Sequence, residues 1–313
     1  METTKVKTVK RNINFKRLDI QDERSTVDKL GEESMPTSPE DFLMFYAGKM
    51  AYTFLKEKVR ATNMLAGFKR HYKGIDSDTE EKLDNFYASF EKDFNKQKRN
   101  LIKLTDSHPL TKRLCQIKGF TSYQLAMIMS YIKDVNKFDT PSKLSVYAGV
   151  ACVEGLPVTK GNLAKIKEIY YLQGKEFHGF NTALSGRLYI VVECLLKKKG
   201  YFYNMYKGIR ERLITRCTNN NEIFKATAAD QKASKGKMKK GRFYMKDRKN
   251  FSLESFTDKN AKRRIARTLL HLIWTEWRFL RKLPLRNPYP IDYLGHDNYI
   301  KLADVLTWEE RNC

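Results

Sequence analysis

The chain has 313 residues, enough for one large domain or two modest ones with real hydrophobic cores. Its 60 Lys and Arg outnumber its 36 Asp and Glu, and the formal net charge of +24 indicates a polyanionic partner. The sequence has no apolar run of the ~18 residues that a membrane-spanning helix needs and no apolar signal region, so we expect no membrane partner.

Five cysteines and five histidines are scattered along the chain without a CxxC pair or any other zinc-binding spacing. We therefore expect no metal, no cofactor and thiols that stay reduced. The expected location is the cytoplasm, in association with the nucleoid, or the interior of a host cell if the protein is viral.

Residues 1–36 mix charges without apolar periodicity, which predicts a mobile basic arm. A helical hairpin or coiled coil is expected over residues 37–108, with a first helix capped by Ser38 and a second that begins near Asp78. The second helix carries a heptad seam, interrupted by Gln97 and formed by Tyr87, Phe90, Phe94, Leu101 and Leu104. This seam can pair with the first helix of the same chain or with a second copy in a homodimer, and the sequence leaves both open.

Residues 109–285 are predicted to form a helical domain that opens with two short helices joined by a tight hairpin. Gly119 permits a positive φ there, and Ser122 is the expected N-cap of the second short helix. A hairpin of this kind directs unpaired N–H groups and the positive end of a helix dipole at one point, where a phosphate oxygen can sit. The residues expected at that phosphate are Lys118, Gly119, Thr121 and Ser122. An ordinary helical hairpin within a core is the alternative.

Residues 217–258 lose apolar periodicity and gain lysine, which predicts a flexible basic insertion. Phe243 and Tyr244 interrupt the basic run, and interleaved aromatic residues are typical of segments that follow a nucleic-acid backbone. A solvated charged loop is the alternative. The candidate nucleic-acid-binding residues of this insertion are Lys235, Lys237, Lys239, Lys240, Arg242, Lys246, Arg248 and Lys249.

A long helix is expected from Ala261 to about Leu283, with Asn260 as its N-cap. Its first turns add further candidate nucleic-acid-binding residues, namely Lys262, Arg263, Arg264 and Arg267. Residues 286–313 form a C-terminal tail. Because the alternation typical of strands is absent, the predicted class is all-α: a coiled coil or helical hairpin, then a helical domain that contains a helix-hairpin-helix and a basic insertion.

The order of these features resembles a known family. The hairpin begins with LCQIKGF at Leu114–Phe120 and continues to Ala126, and the next small helix carries FDTPSKLSVYAG at Phe138–Gly149. After a heptad helix, these motifs resemble the C-terminal domain of the DEDD-type insertion-sequence transposases of the 110/116/902 group, which are guided by a structured RNA. The resemblance covers about residues 80 to 285 and implies a DNA-binding helical domain.

The chain departs from that family at both of its catalytic centres. Only about 80 residues precede the heptad helix, without a βαβ pattern, so the family's metal-binding resolvase-like domain is not expected here. The family's nucleophilic serine would fall at Pro157, and no serine occurs between Ser145 and Ser185. Thr159 is the nearest hydroxyl and Cys152 the nearest thiol, but a threonine nucleophile needs an activating base or metal beside it. We therefore expect Thr159, the one catalytic candidate, to be a loop residue, and the chain not to be an enzyme.

Three functions fit these observations. The leading hypothesis is a nucleic-acid-binding protein, related to the transposase domain but without its catalytic groups, that holds duplex DNA through the hairpin and the basic segments. The second is an active recombinase-like enzyme of DNA strand transfer, which uses Thr159 or a metal domain in trans. The third is an RNA-binding assembly component, since the family's domain also contacts guide RNA and oligomerises through its coiled coil.

Overall fold

The computed structural model describes residues 38–72, 76–247, 251–292 and 299–312. Helices dominate these residues, which confirms the predicted all-α class. The expectation that strands are absent was wrong in detail, because two short antiparallel ribbons occur within the described residues. The predicted basic arm, residues 1–36, lies outside the described residues.

The first half of the chain contains two long helices followed by three short ones, each of which begins at a side-chain cap. They are α1 (Pro39–His71), α2 (Ser77–Asp106), α3 (Pro109–Leu114), α4 (Ser122–Ile132), a 3₁₀ turn (Val135–Lys137) and α5 (Pro141–Tyr147). Helices α1, α3 and α5 each have proline at the first helical position, where its missing N–H would have no partner in any case. Ser38 caps α1 as predicted, by accepting a hydrogen bond from the amide of Asp41 at 3.2 Å.

The second half holds both ribbons and the longest buried helix. Its elements are β1 (Cys152–Val153), β2 (Leu156–Pro157), a 3₁₀ turn (Lys160–Asn162), α6 (Leu163–Leu172), α7 (Thr182–Lys197), α8 (Tyr201–Asn219), β3 (Ile223–Lys225), α9 (Ala228–Ala233), β4 (Phe243–Met245), α10 (Leu253–Leu280), α11 (Tyr289–Asp292) and α12 (Leu302–Asn312). Strand β1 pairs with β2, and β3 pairs with β4. The ribbons are too short to form a sheet of their own, so the fold is built by helix packing.

Helices α1 and α2 pack on each other within one chain. The hydroxyls of Thr62 and Tyr87 lie 2.9 Å apart, and Lys58 Nζ is 2.5 Å from Glu91 Oε1 and 5.0 Å from the centre of the Phe94 ring. Two seam residues, Tyr87 and Phe94, therefore face α1. This contact is the pairing within one chain that the sequence left open as an alternative to a homodimer. At the far end of the seam Leu104 is largely exposed. Pairing with a second copy stays a prediction.

Gly48 brings α1 into close contact with α4. A Cβ atom placed on Gly48 would collide with the backbone carbonyl of Ala126, and Met44, Ala47 and Ala51 are buried on the same side of α1. Small residues at this spacing let two helix backbones approach more closely than side chains would allow. The hairpin of α1 and α2 is thus fixed to the rest of the helical structure near the N-terminal end of α1.

The motif Phe138–Gly149 lies at the centre of the core. Leu144 and Ala148 are fully buried on α5, and the carbonyl of Phe138 accepts a hydrogen bond from the indole N–H of Trp274 at 2.7 Å. The main hydrophobic core, to which these residues belong, also includes buried residues of α4, α7, α10 and α12. Because its apolar residues face this core, the motif that carries the family resemblance has a packing role in this chain.

Residues 217–258 form a small folded segment, which we call the excursion. The pattern predicted no regular structure here, but the segment contains the end of α8, β3, α9, β4 and the start of α10. A capping box between Thr227 and Asp230 starts α9, and Ala226, Met238 and Tyr244 form a separate small core. The amide of Lys246 donates to the carbonyl of Glu222 at 2.9 Å, so the chain leaves the body and returns to it at neighbouring points.

Helix α10 begins two turns before its predicted start. Its N-cap is Ser252, whose hydroxyl accepts a hydrogen bond from the amide of Ser255 at 3.2 Å, and it ends at Leu280. The predicted cap, Asn260, lies inside the helix, where its side chain donates to the carbonyl of Phe256 at 2.8 Å. A cap-type residue was mistaken for a boundary because its side chain can also bond back along the helix.

Across the described parts of the chain, no helix combines the length and the apolar character needed to cross a membrane.

Candidate nucleic-acid interface

The turn between α3 and α4, where the sequence predicts a tight hairpin, contains a residue in the left-handed region. Gly119 adopts φ +92°, a value that favours glycine. The N-cap of α4 is Thr121, not Ser122: Thr121 Oγ1 accepts from the amide of Gln124 at 3.3 Å, and Gln124 Oε1 accepts from the amide of Thr121 at 2.9 Å. This reciprocal pair is a capping box. Ser122 is buried as the first residue of the helix and is not accessible to a ligand.

Three amides of this hairpin, those of Lys118, Phe120 and Thr121, have partners within the chain. The amide of Phe120 donates to the carbonyl of Ile117 at 3.0 Å, and that of Thr121 donates to Gln124. The amide of Lys118 donates to Glu309 Oε2 on α12 at 2.9 Å. The place where a phosphate oxygen was expected therefore holds a carboxylate of the same protein, while the Lys118 side chain stays exposed.

The basic residues of the excursion lie mostly on its surface. Lys235, Lys237, Lys239 and Lys240 are exposed in the segment between α9 and β4, and none forms an ion pair with a described acidic residue. Predicted residues Arg248 and Lys249 lie outside the described residues. The other two predicted residues have partners: Arg242 is 3.9 Å from Glu254, and Lys246 Nζ donates to Asn221 Oδ1 at 2.9 Å.

The two aromatic residues of this segment have different roles. Phe243 is exposed and free to stack on a base, as the sequence suggested for both. Tyr244 is buried in the small core, and its hydroxyl accepts a hydrogen bond from the amide of Lys239 at 2.8 Å. Tyr244 therefore holds the lysine-bearing turn in shape and does not contact solvent.

Lys262 is neutralised by acidic neighbours. Its ammonium lies 2.6 Å from Glu193 Oε1 and 2.9 Å from Asp258 Oδ2, and its side chain is mostly buried. Burial lowers the pKa of Lys262, but the hydrogen bonds to Glu193 and Asp258 outweigh this effect and raise it. The hydroxyl of Tyr206 donates to the other oxygen of Asp258. Lys262 thus links α7 to α10, and we leave it out of the interface.

Four arginines gather where α8 packs on α10. The helices meet at a small apolar contact of Ile209, Leu213 and Ala261, and beside it lie the residues that we call the arginine cluster: Arg212, Arg216, Arg264 and Arg267. Partial desolvation, and then the positive charges of Arg267, Arg216 and Arg212, lower the pKa of Arg264. The smaller, charge-dependent part of this shift places Arg267, Arg216 and Arg212 near enough to Arg264 for their positive charges to act on it.

Little negative charge offsets the arginine cluster. Among the residues that the structure describes, the only acid within ion-pair distance is Glu222, which lies 3.9 Å from Arg216 with both side chains partly exposed. Asp258 and Glu193 are occupied by Lys262. The buried Nε atoms of Arg210 and Arg263, on the same two helices, have no hydrogen-bond partner in the described structure. In each helix the two arginines are one turn apart: Arg212 and Arg216 in α8, and Arg264 and Arg267 in α10. The sequence displays both pairs but does not show that the two helices pack together.

His271 and Ser145 form a polar pair close to Arg267. Their Nε2 and Oγ atoms are 2.9 Å apart, a distance that would also suit a nucleophile and its base. However, Ser145 is 1% exposed, and its hydroxyl donates to the carbonyl of Pro141 at 2.9 Å. His271 must then donate through Nε2 to Ser145, and burial followed by the charge of Arg267 lowers the pKa of His271 to about 3. This pair is structural.

Thr159, the catalytic candidate of the sequence, lies in the loop that follows β2. It begins the 3₁₀ turn after β2, and its side chain makes no capping hydrogen bond. In the described part of the molecule, no three His, Cys, Asp or Glu side chains come together in a group that could hold a metal ion. Cys152, the nearest thiol, is exposed on β1 within electrostatic range of Arg264.

No protein-family model matches the chain, and no curated protein matches it. The resemblance to the transposase domain therefore rests on the order and residues of the motifs alone.

Proposed function

We propose that this protein binds nucleic acid, with duplex DNA as its main partner, by holding backbone phosphates at the arginine cluster. The observation that carries the proposal is the packing of α8 on α10 at Ile209, Leu213 and Ala261, which brings Arg212 and Arg216 near Arg264 and Arg267 with almost no acidic side chain beside them. Bringing like charges together costs free energy, and a phosphate that sits between them offsets this cost through charge-assisted hydrogen bonds.

Arginine suits this role better than lysine. The planar guanidinium presents several N–H donors in a fork that matches two phosphate oxygens. Contacts of this type fix the position of a duplex without reading its bases, so the proposed binding is largely independent of sequence.

The exposed lysines of the excursion supply attraction over a longer range. Lys235, Lys237, Lys239 and Lys240 stand on a turn that Tyr244 holds in shape. Cations of this kind release counterions from DNA when they approach it, and they raise both affinity and its dependence on salt. The net charge of +24 acts in the same direction.

The family resemblance supports DNA as the polyanion and supports binding without cleavage. On this proposal the chain is derived from, or cognate to, the transposase domain and has lost both catalytic groups. The positions that carry the resemblance include Gly119 and the core motif Phe138–Gly149.

The test is the salt dependence of binding to a fluorescent duplex of about 20 base pairs, measured by anisotropy for the wild type and an Arg264→Gln/Arg267→Gln variant. Losing two phosphate contacts should weaken binding by roughly tenfold or more at low salt and reduce the slope of log K against log salt by about 1.8. The control is Lys82→Gln, which removes an exposed charge on α2 that is paired with Asp78.

A second variant tests the excursion. Reversing the charge of Lys237, Lys239 and Lys240 to Glu should weaken binding to unrelated duplexes by the same factor, because phosphate contacts carry no sequence information. A wild-type affinity that does not change with salt, or no affinity for DNA, would refute the proposal. Preferential competition by a structured RNA would favour the RNA-binding hypothesis instead.

A further inference from the structure

Glu309 is a buried acid held by backbone amides from two distant parts of the fold. It lies on α12 and is 9% exposed. Its Oε2 accepts from the amide of Lys118 at 2.9 Å, and its Oε1 accepts from the amide of Tyr201 at 3.2 Å. No Lys, Arg or His in the described ranges forms an ion pair with this carboxylate. A buried carboxylate is normally paired with a cation, so its placement on two N–H groups is unusual.

The fold provides a shaped position for this anion, which we call the anion seat: the amide N–H groups of Lys118 and Tyr201. Tyr201 is the first residue of α8, a helix of 19 residues whose N-cap, Gly200, offers no side-chain acceptor. A Cβ atom on Gly200 would lie 2.5 Å from Glu309 Oε1. The positive end of the α8 dipole and the amide of Lys118 thus converge at a point that a side chain at position 200 would block.

Four exposed lysines lie at or next to the segments that form the anion seat. Lys118 lies on the hairpin, and Lys197, Lys198 and Lys199 come directly before α8. None of them is ion-paired to a described acidic residue. One internal carboxylate therefore sits amid several unmatched positive charges, an arrangement that favours an incoming anion of higher charge.

We propose that Glu309 takes the place of a nucleic-acid phosphate in the anion seat, and that bound nucleic acid displaces Glu309 and loosens the last turn of α12. This inference rests on the proposed function. It adds a contact about 17 Å along α8 from Arg212, given the rise of an α-helix, so one helix would hold phosphates at its N-terminus and in its second half.

The packing of α12 permits a local displacement. Leu302 and Val305, at the start of the helix, are buried in the main core. The second half is held by Glu309 and by an edge-to-face contact of Trp308 with Tyr201, with ring centres 5.7 Å apart. The end of α12 can therefore leave the anion seat while its start stays in the core.

The first test compares Glu309→Gln with Glu310→Gln. Glu310 is the next residue and is exposed, so both variants lose one negative charge, but only one changes the anion seat. Glutamine holds two amide donors less well than a carboxylate, so Glu309→Gln should raise the affinity for a duplex of about 20 base pairs by roughly tenfold beyond the gain seen for Glu310→Gln. Equal affinities of the two variants would overturn the inference.

The second test uses the wild type and needs no substitution. Hydrogen exchange of the peptide that covers residues 299–312 is measured with and without the same duplex. Exchange in the last turn should become faster when DNA is bound, although binding usually slows exchange. Slower or unchanged exchange would overturn the inference.

The two proposals fail in different ways. If the wild type binds DNA, and Arg264→Gln/Arg267→Gln weakens it, but Glu309→Gln acts like Glu310→Gln, only the displacement of Glu309 is refuted. If the wild type binds no DNA, the proposed function and this inference are refuted together.

Discussion

The indole N–H of Trp277 donates a hydrogen bond to Asp41 Oδ2 at 2.9 Å and so joins two residues that are 236 positions apart in the chain. Asp41 is 6% exposed, and its carboxylate also accepts from Arg281 Nε at 2.8 Å and from His108 Nε2 at 3.2 Å. The amide of Leu110 donates to the other ring nitrogen of His108, which places the histidine proton on Nε2. One carboxylate therefore ties the start of α1 to the start of α3 and to the end of α10.

Replacing Asp41 should destabilise the protein strongly. In Asp41→Asn the charge that matches Arg281 is lost and at least one donor faces an amide NH₂, so we expect the free energy of unfolding to fall by about 3 kcal/mol. The measurement is urea unfolding followed by circular dichroism. The control is Asp84→Asn, because Asp84 pairs with Lys69 at an exposed site, and we expect a loss of about 0.5 kcal/mol or less. Equal losses in the two variants would contradict the central role of Asp41.

Two glycines of α1 should respond to substitution in opposite directions. A Cβ on Gly48 would collide with the carbonyl of Ala126, so Gly48→Ala should lower the free energy of unfolding by about 2 kcal/mol through forced separation of α1 and α4. A Cβ on Gly67, in the same helix, meets no atom within 4 Å. Gly67→Ala should therefore raise the free energy of unfolding by about 1 kcal/mol, the difference in helix propensity. A stabilised Gly48→Ala variant would show that the close contact is wrong.

Acid should destabilise the protein through His271. Its pKa is lowered to about 3 in the folded state by burial and by Arg267, whereas an unfolded histidine titrates near 6.5. Between these values the unfolded state binds more protons, so this contribution to stability is complete above about pH 6.5 and is lost as the pH falls toward 3. The slope for one proton is at most about 1.4 kcal/mol per pH unit.

The measurement is urea unfolding from pH 7 to pH 4.5 in the wild type and His271→Gln. Glutamine can still donate to Ser145 but does not titrate, so the variant should lose less stability over this range. His178→Gln, which alters an exposed histidine, should behave like the wild type. Identical pH profiles for wild type and His271→Gln would show that the folded histidine titrates normally.

Thr159 should have no catalytic role. Its hydroxyl has no capping partner, and the described residues offer no cluster of metal ligands. We expect the wild type with Mg²⁺ to leave supercoiled plasmid intact and Thr159→Ala to give the same result. Nicking that the substitution abolishes would revive the hypothesis of a strand-transfer enzyme.

Local signals in the sequence were enough to predict the helical class and the start of α1. The Ser38-Pro39 start of α1 is a short-range effect that a sequence displays directly, and the structure adds similar proline starts for α3 and α5. The start of α10 was misplaced because Asn260 looks like a cap when its bond to the carbonyl of Phe256 is not known.

The candidate site depends on contacts between segments that are distant in the chain. Helices α8 and α10 both carry arginine pairs, but only packing at Ala261 brings Arg212 and Arg264 into one electrostatic environment. Lys262 belongs to the same basic run, yet Glu193 from α7 neutralises it, and nothing local predicts that partner. The contact of Glu309 with Lys118 joins residues 191 positions apart and has no signature in either motif.

The excursion between α8 and α10 also bears on how this protein can change over evolutionary time. Its ends meet where the amide of Lys246 bonds to the carbonyl of Glu222, and its few apolar residues pack on one another. A segment whose ends already touch can lengthen, shorten or be exchanged at a small entropic cost to the rest of the chain. Related proteins should therefore differ most in the size and charge of this segment, and it is the natural place at which to graft or remove a binding element without refolding the helical body.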